Sequence, residues 1–540
     1  MENKRLRLPV GIQTFEKLRE RNCVYVDKTK FLVDMIDNED IYFLARPRRF
    51  GKSLTVSTFE ALFSGRKDLF KGLYAEAFLN RPDFTPSPVI RLDMSKAITD
   101  SGIDELKKTI AKQVRDIADE LDVTLSDCES PGALFDDLII RTTKKYGQKV
   151  VVLLDEYDKP YTDFVNDAVM AEKVRNVLRS FYVQIKANDR HIRFTFITGI
   201  SKFTRLGVFS AMNTPFDISL MPQYAAICGY TEEEIIKYFP DHLKETAKKM
   251  KISKKELLKK MKDYYNGFSF DSKAQTRLYN PYSTLSFFAE KEWYNYWIDS
   301  GNSQMIADYM KNRHLTVEQF RYMPISTDLA KSPGDMDTAP PYVFLYQSGY
   351  LTLRPGKDGL LALDYPNTEV LNSMSKLFMR HIVKTIFFDS FQQELYVALG
   401  NRDIEKVILI FNRLLASIPY DDYVKAIEQD VVFENFRFPA QEWLYRSCIL
   451  SLLHGCGVMV HPEVHTNLGR TDLVIAFGGV TWVIEIKVAY RDRGEEPAKK
   501  VMEAIRQIEE KNYAKLYADP VCVGLAIDDS VRQITDWKDC

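Results

Sequence analysis

The chain has 540 residues of which 45% are hydrophobic, enough apolar content for several cores, and two to four domains are expected. Its 74 basic and 75 acidic residues nearly cancel, so global charge neither requires nor excludes a nucleic-acid partner, and any binding face must be a local patch. Seven scattered cysteines without a C-x-x-C pair speak against a disulfide framework or a zinc site, and no apolar run reaches the length of a membrane span, so a soluble cytoplasmic protein with no membrane partner is expected.

The charged start, Met1-Glu-Asn-Lys-Arg5, is followed by no apolar signal-like run. Val24-Tyr-Val-Asp27-Lys28-Thr29 then precedes a helical pattern from Phe31 to Ile36, at a point where a chain can lean over a bound base. The apolar run Ile41–Ala45 reads as a strand, Arg46-Pro-Arg48-Arg49-Phe50-Gly51-Lys52-Ser53 as a turn, and Leu54–Phe63 as a helix. A strand, a turn ending Gly-Lys-Ser and a helix are what a triphosphate cradle needs, because backbone N–H groups and a helix N-terminus both point at the anion. Lys52 would reach the β- and γ-phosphates and Ser53 would offer its hydroxyl to Mg²⁺. Arg46 stands where the first glycine of G-x-x-x-x-G-K-[ST] is usual, and Gly-Lys-Ser alone also describes a helix-capping turn.

A second strand is predicted over Pro88–Asp93 and a helix over Ile103–Leu121, where Leu106, Ile110, Val114 and Ile117 recur at helical spacing. The run Lys149-Val-Val-Val-Leu-Leu154 reads as a strand buried on both faces, with Asp155 and Glu156 emerging at its end. Phosphoryl transfer needs this pair: an Asp orients the shell of Mg²⁺ and a neighbouring Glu polarises the attacking water. A helix over Val169–Ala187, a strand over His191–Gly199 and a short strand over Phe216–Leu220 complete a parallel sheet with helices on both faces, which binds ligands at the C-terminal ends of its strands. Thr198 or Ser201 would sense the γ-phosphate. Arg205 could reach a phosphate of its own subunit or of a neighbour in a homo-oligomer, or be a solvated loop charge.

The motifs Tyr25-Val-Asp-Lys-Thr29, Arg46 to Leu54, Leu154-Asp-Glu-Tyr-Asp-Lys-Pro160, Thr198-Gly-Ile-Ser201 and Cys228-Gly-Tyr-Thr-Glu-Glu-Glu234 resemble those of bacterial AAA-ATPase-like proteins that carry a PD-(D/E)xK nuclease superfamily domain at the C-terminus. In that family arginine stands at the position of Arg46. The resemblance implies a P-loop NTPase fold. Together with the residue readings above, the expected cofactors are ATP and Mg²⁺, the expected nucleotide-binding residues Arg46, Arg48, Arg49, Phe50, Gly51, Lys52, Ser53, Leu54, Asp155, Thr198 and Arg205, and the expected catalytic residue Glu156.

The middle third is organised differently. Thr231–Met261 is rich in Lys and Glu at helical spacing, followed by the clusters Tyr264-Tyr-Asn-Gly-Phe268, Tyr279-Asn-Pro-Tyr282 and Asn295–Gly301. Loops pinned by large rings are the favoured reading, with a stacking platform for single strands as the rival. Pro341–Leu353 reads as a helix entering a hairpin toward Leu360–Leu363, the shape of a winged-helix-like unit that binds DNA or acts as a lid. Ile404, Val407, Ile410 and Leu414 mark a connecting helix. A short match, Asn435-Phe-Arg437, precedes a helix over Pro439–His454, where Glu442 and Arg446 share one face as an ion pair or as functional groups.

In Thr471-Asp472-Leu-Val-Ile-Ala-Phe477-Gly478-Gly479-Val480-Thr-Trp-Val-Ile-Glu485-Ile-Lys487, a Gly-Gly pair between two apolar runs signals a two-residue hairpin. The register places Asp472 opposite Glu485 and puts Lys487 on the same face. Like charges so placed repel, and a shared divalent cation with oxygen ligands at about 2.0–2.1 Å would compensate; a protonated carboxyl, or pairing with Lys487, would do so structurally. Removing the repulsion in Asp472→Asn is then expected to keep or raise stability in chelator. With Gln507 and Tyr513 on the helix that follows, this stretch resembles the PD-(D/E)xK nuclease core, with Thr471 in place of its proline. The resemblance implies Asp472 and Glu485 as metal ligands, Lys487 as charge stabiliser and Gln507 as an orienting residue. His454, His461 and His465 are expected to be surface or core residues, since Mg²⁺ prefers oxygen.

The expected fold class is α/β: a P-loop NTPase domain over 1–224, a helical and winged-helix-like region over 225–395, a helical connector over 396–430 and a nuclease-like domain over 431–540. The expected function is an ATP-binding and ATP-hydrolysing protein that regulates a metal-dependent nuclease acting on nucleic acid, DNA above all, in defence or genome maintenance. The alternative is a nucleotide-dependent switch or scaffold whose rear domain binds without cutting.

Overall fold

The structure, a computed structural model, describes residues 6–38, 41–98, 102–164, 167–202, 215–299, 306–308, 310, 315–331, 340–356, 360–382, 388–418, 440–462 and 472–540. Arg205, Asn435 to Arg437, His465 and Thr471 lie outside these residues. The chain divides into two units, the first comprising 1–297 and 322–368 and the second 298–321 and 369–540.

The first unit is built on the strands β1 (Ile41–Ala45), β2 (Val89–Asp93), β3 (Val150–Asp155), β4 (Ile192–Gly199) and β5 (Phe216–Asp217), in the order β2-β3-β4-β1-β5, with every pair parallel. Every residue of β3 is buried, as an unbroken apolar run without alternation requires. The helix Ile103–Glu120 buries Leu106, Ile110, Val114 and Ile117, the stripe that its spacing predicts. A helix that the motif reading passed over spans Pro131–Tyr146; it has proline in its first turn and Gly147 beyond its end at φ 64°. The fifth strand is shorter than expected. The Asp217 carboxylate accepts from Ser219 N at 2.9 Å and Ser219 Oγ from Ala45 N at 2.8 Å, and these bonds turn the chain after two paired residues.

Beyond the sheet, the helices Glu232–Tyr238, Pro240–Met250, Lys254–Tyr265 and Pro281–Glu290 close on a core of Ile235, Phe239, Leu243, Leu257, Met261, Tyr265, Phe287 and Phe288. Tyr265, Tyr279, Phe268 and Trp297 are all buried, so these rings pin loops and form no exposed stacking platform. The helix Pro341–Ser348 leads into the hairpin β7 (Thr352–Pro355) and β8 (Leu361–Asp364), and β6 (Met323–Ile325) joins them in an antiparallel sheet ordered β6-β8-β7. Helix followed by hairpin is the winged-helix-like shape.

The second unit holds a mixed sheet ordered β13-β12-β11-β10-β9, formed by β9 (Met459–Pro462), β10 (Leu473–Phe477), β11 (Val480–Ala489), β12 (Val521–Asp528) and β13 (Gln533–Asp539). Gly478 and Gly479 close the β10–β11 hairpin at φ 57° and 81°, the two left-handed positions of a type I′ turn. The helix Pro497–Glu510 connects β11 to β12, the one parallel pair of this sheet. The helix Ile404–Ala416 buries Val407, Ile410 and Leu414.

Candidate functional site

At the end of β1 the chain turns through Arg49 at φ 66° and Gly51 at φ 98°, and Lys52 begins the helix Lys52–Phe63. A left-handed residue directly before a helix aims its first N–H groups outward, the geometry an anion needs. The Lys52 ammonium is 4% exposed and donates to Arg46 O at 2.9 Å and Pro47 O at 3.0 Å. It therefore holds only loop carbonyls, which a phosphate can replace. The half-buried Ser53 hydroxyl makes no hydrogen bond to the described residues.

Arg46 is placed differently from the cradle residue that the sequence suggested. Its guanidinium is buried and donates to Ala45 O at 2.9 Å, Ser219 O at 2.7 Å and Tyr224 O at 3.2 Å, and it lies 4.5 Å from the Phe270 ring centre. The arginine thus ties the start of the loop to the segment after β5. Arg48 O accepts from Trp297 Nε1 at 3.3 Å, Arg49 lies 5.0 Å over the Tyr282 ring, and Phe50 packs edge-on against Phe268 and Phe270. Leu54 O accepts from Thr58 Oγ1 at 2.7 Å within the helix. The loop is pinned from several sides by its own odd residues, three arginines and a phenylalanine.

Asp155 ends β3, buried, and accepts from Thr198 Oγ1 at 2.5 Å across the parallel pair β3–β4. Glu156 follows at φ 51°, a left-handed conformation that costs a glutamate energy and turns it out of the strand. Burial pushes its carboxyl above the usual range, and Lys52 pulls it back, so the two charges sense each other. Of the two sensor candidates, Thr198 is bonded to Asp155, whereas Ser201 donates Oγ at 2.7 Å and N at 2.8 Å to the buried Asp158. Asp158, to which the sequence reading gave no role, anchors the loop after β4. Gly199 is obligatory here because a Cβ would lie 2.5 Å from the Tyr157 ring. The hydroxyl of Ser53 and the carboxylate of Asp155 are the hard oxygen donors that Mg²⁺ takes.

The two outlying motifs support this edge. Asp27 accepts from Thr29 N at 2.9 Å and Tyr74 N at 2.8 Å, while Lys28 donates to Glu234 at 2.6 Å. Glu234 also completes the capping box with Thr231, so both motifs serve one contact that ties the N-terminal segment to the helix after the sheet.

The second constellation lies in the second unit. Val474 pairs with Val483, and both pack on Ile508 of the helix Pro497–Glu510, so the residues of matching parity, Asp472, Glu485 and Lys487, share the helix-covered face. Gly524 pairs with Glu485, and a Cβ there would meet Ile505 at 3.0 Å and Ala504 at 3.1 Å; its absence lets the helix approach. Gln507 follows Ala504 by three residues on that helix, half-buried.

The ladder ends at Leu473–Ile484, one step short of the expected pair, yet Asp472 and Glu485 still meet: Asp472 N donates to Glu485 Oε2 at 3.1 Å and Ile486 N donates to Asp472 Oδ2 at 2.8 Å. Lys487 donates to Glu485 Oε1 at 3.1 Å, and the buried Arg446 bonds Asp472 Oδ1. Arg446 was weighed as a partner of Glu442; it forms an ion pair with Asp472, which only the fold brings near. Burial pushes the Glu485 carboxyl up to about 7, with Asp472 adding to the rise and Lys487 opposing it. Glu442 is half-buried and raised by burial, with Arg446 lowering it and Asp472 raising it, so it belongs to the same electrostatic cluster. Two neighbouring buried carboxylates, one of them raised by burial and by the other, are a donor set that a hard divalent cation satisfies, the remaining positions going to water or substrate phosphate. No group of three or more His, Cys, Asp and Glu suited to a metal occurs among the described residues, and His454 is buried in its helix.

A family model described as "Predicted AAA-ATPase" matches residues 9–209, and one described as "PD-(D/E)XK nuclease superfamily" matches 440–537. An uncharacterized protein in the vnfD 5′ region of Azotobacter chroococcum mcd 1 is 32% identical over 520 residues, 95% of this chain and 94% of that protein. The crystal structure of Cdc6p from Pyrobaculum aerophilum, 11% identical, matches 70% of this chain and 96% of its own at a TM-score of 0.25.

Proposed function

This chain belongs to the AAA-ATPase-like proteins that carry a PD-(D/E)XK nuclease superfamily domain at the C-terminus, and we propose from that premise that it binds and hydrolyses ATP in its first unit and cleaves nucleic acid, DNA above all, in its second. In the first unit Lys52 binds the phosphates, Ser53 and Asp155 hold Mg²⁺, Glu156 acts as general base on the attacking water and Thr198 fixes Asp155. In the second, Asp472 and Glu485 hold Mg²⁺, Lys487 offsets charge developing on the phosphate under attack, and Gln507 orients the substrate. Bound Mg²⁺ supplies Lewis-acid charge stabilisation at both places. The observation that carries the nuclease reading is the Glu485 carboxyl, pushed up to about 7 beside Asp472 and within 3.1 Å of Lys487. A merely structural position has no need of two buried carboxylates side by side. The nucleotide state of the first unit would regulate nucleic-acid access to the second, in defence or genome maintenance.

A second reading, a nucleotide-dependent switch whose nuclease-like domain binds without cutting, is favoured by one feature. All four oxygens of Asp472 and Glu485 already accept a hydrogen bond from the protein. Plasmid cleavage with Mg²⁺, with and without ATP, separates the two. Nicking or linearisation by the wild type that is lost in Asp472→Asn is expected; no cleavage by either, with DNA binding intact, would leave the switch.

A further inference from the structure

The helices Pro240–Met250 and Lys254–Tyr265 form a hairpin whose inner faces bury Leu243, Ala247, Leu257, Met261 and Tyr265. Its outer faces carry nine lysines, all exposed, against the four carboxylates Asp241, Glu245, Glu256 and Asp263. Nine minus four leaves five positive charges on 26 residues, while the chain as a whole stands at −1. The rest of the molecule therefore sums to −6, and the excess on this hairpin is local, as is the equal excess on 46–71, which carries the phosphate loop.

Three of the nine are engaged: Lys249 donates to Glu290 O at 3.0 Å, Lys260 pairs with Glu256 at 3.0 Å and Lys262 lies 3.8 Å from Glu232. The side chains of Lys244, Lys248, Lys251, Lys254, Lys255 and Lys259 make no hydrogen bond or ion pair among the described residues. Lys244 and Lys248 recur at i and i+4 on the first helix and Lys255 and Lys259 on the second, which sets neighbours about 6 Å apart along each helix, and Lys251 follows at the turn between them. Exposed lysines are ordinary, and elsewhere in this unit they pair in the ordinary way, as Lys30 with Asp34 and Lys112 with Asp116. On this hairpin Lys248 follows Lys244 and Lys259 follows Lys255 at the i+4 position where those carboxylates stand, which weakens the helices and does nothing for the fold. A lipid surface is disfavoured, because a membrane-lying helix couples its basic face to exposed large apolar side chains. None of the exposed large hydrophobic residues falls in 240–265.

We propose that this hairpin is a docking ridge for the phosphate backbone of DNA, placed on the ATPase unit and separate from the nuclease-like site. The proposal rests on the reading that the chain acts on nucleic acid. Lysines that point-contact phosphates release counterions and give affinity without sequence preference, so their signature is the salt dependence of binding.

The test is fluorescence anisotropy of the full chain with a labelled DNA duplex across a KCl series, in chelator so that nothing is cut. The triple variant Lys248→Gln, Lys255→Gln and Lys259→Gln is compared with the wild type, with thermal unfolding as a check on folding. The expected result is weaker binding and a log K against log salt slope shallower by about 0.9 per lost contact, about 2.7 for three, with the melting temperature unchanged. An unchanged slope in a variant that binds DNA as the wild type does would overturn the ridge and leave the nucleic-acid reading standing. Absence of DNA binding by the wild type would remove both. Loss of binding to phosphatidylglycerol vesicles with DNA binding untouched would assign the ridge to a membrane surface and overturn the proposal.

Discussion

Arg446 reverses one expectation drawn from the hairpin register. With two carboxylates and nothing else, Asp472→Asn removes a repulsion; with Arg446 buried against Asp472, it also removes the carboxylate that the guanidinium pairs with. Asp472→Asn is therefore expected to lower the melting temperature in chelator, and Arg446→Met to cost about 3–5 kcal/mol in denaturant unfolding. The double variant should recover part of the loss, because both partners of the ion pair are then replaced together; strict additivity of the two single effects would refute the pairing. Glu485 gives a pH test. Its carboxyl titrates near 7 in the folded chain against 4.5 unfolded, so the folded state binds the extra proton between these values and stability falls as pH rises through them. In chelator the loss should approach about 3 kcal/mol at most, and Glu485→Gln should flatten the slope. In the first unit, Lys52→Ala should weaken ATP binding measured by calorimetry, whereas Glu156→Gln should keep binding and lose hydrolysis. Equal ATP affinity in Lys52→Ala and the wild type would refute the phosphate-loop assignment.

At the scale of elements, both candidate sites depend on glycines that let two elements touch. Gly524 sits beside Glu485 and beneath the helix Pro497–Glu510, with no room for a Cβ short of 3.0 Å from Ile505. Gly524→Val should push that helix off the sheet at a cost of about 1–3 kcal/mol in denaturant unfolding and misplace Gln507. A variant of wild-type stability would mean that the helix shifts freely over β12. The same logic holds at Gly199, where Tyr157 covers the backbone and so fixes the turn that carries Glu156.

For the whole molecule the open quantity is coupling between the two proposed activities. If nucleotide regulates cleavage, Glu156→Gln, which should hold ATP without hydrolysing it, is expected to change the cleavage rate although Glu156 and Glu485 belong to different units. Linkage also requires that DNA raise or lower ATP affinity by the factor by which ATP changes DNA affinity. Cleavage rates identical at zero and saturating ATP would mean two independent activities.

The sequence by itself determined the strand before Asp155, the helix Ile103–Glu120 and the Gly-Gly hairpin. In each the local pattern and the tertiary environment ask for the same residues. It also brought Asp472, Glu485 and Lys487 to one face, because strand parity is fixed by counting. Only the tertiary structure decided the rest. Arg46 reads as part of a phosphate motif, but carbonyls about 175 residues away claim its guanidinium. Arg446 reads as the helical neighbour of Glu442, but Asp472, 26 residues on, takes it. The lysines of 240–265 read as one more charged stretch until side-chain partners are sought in space and, for six of them, none is found among the described residues. Local spacing says which face a side chain shares; which charge it meets there is a long-range contact that spacing does not encode.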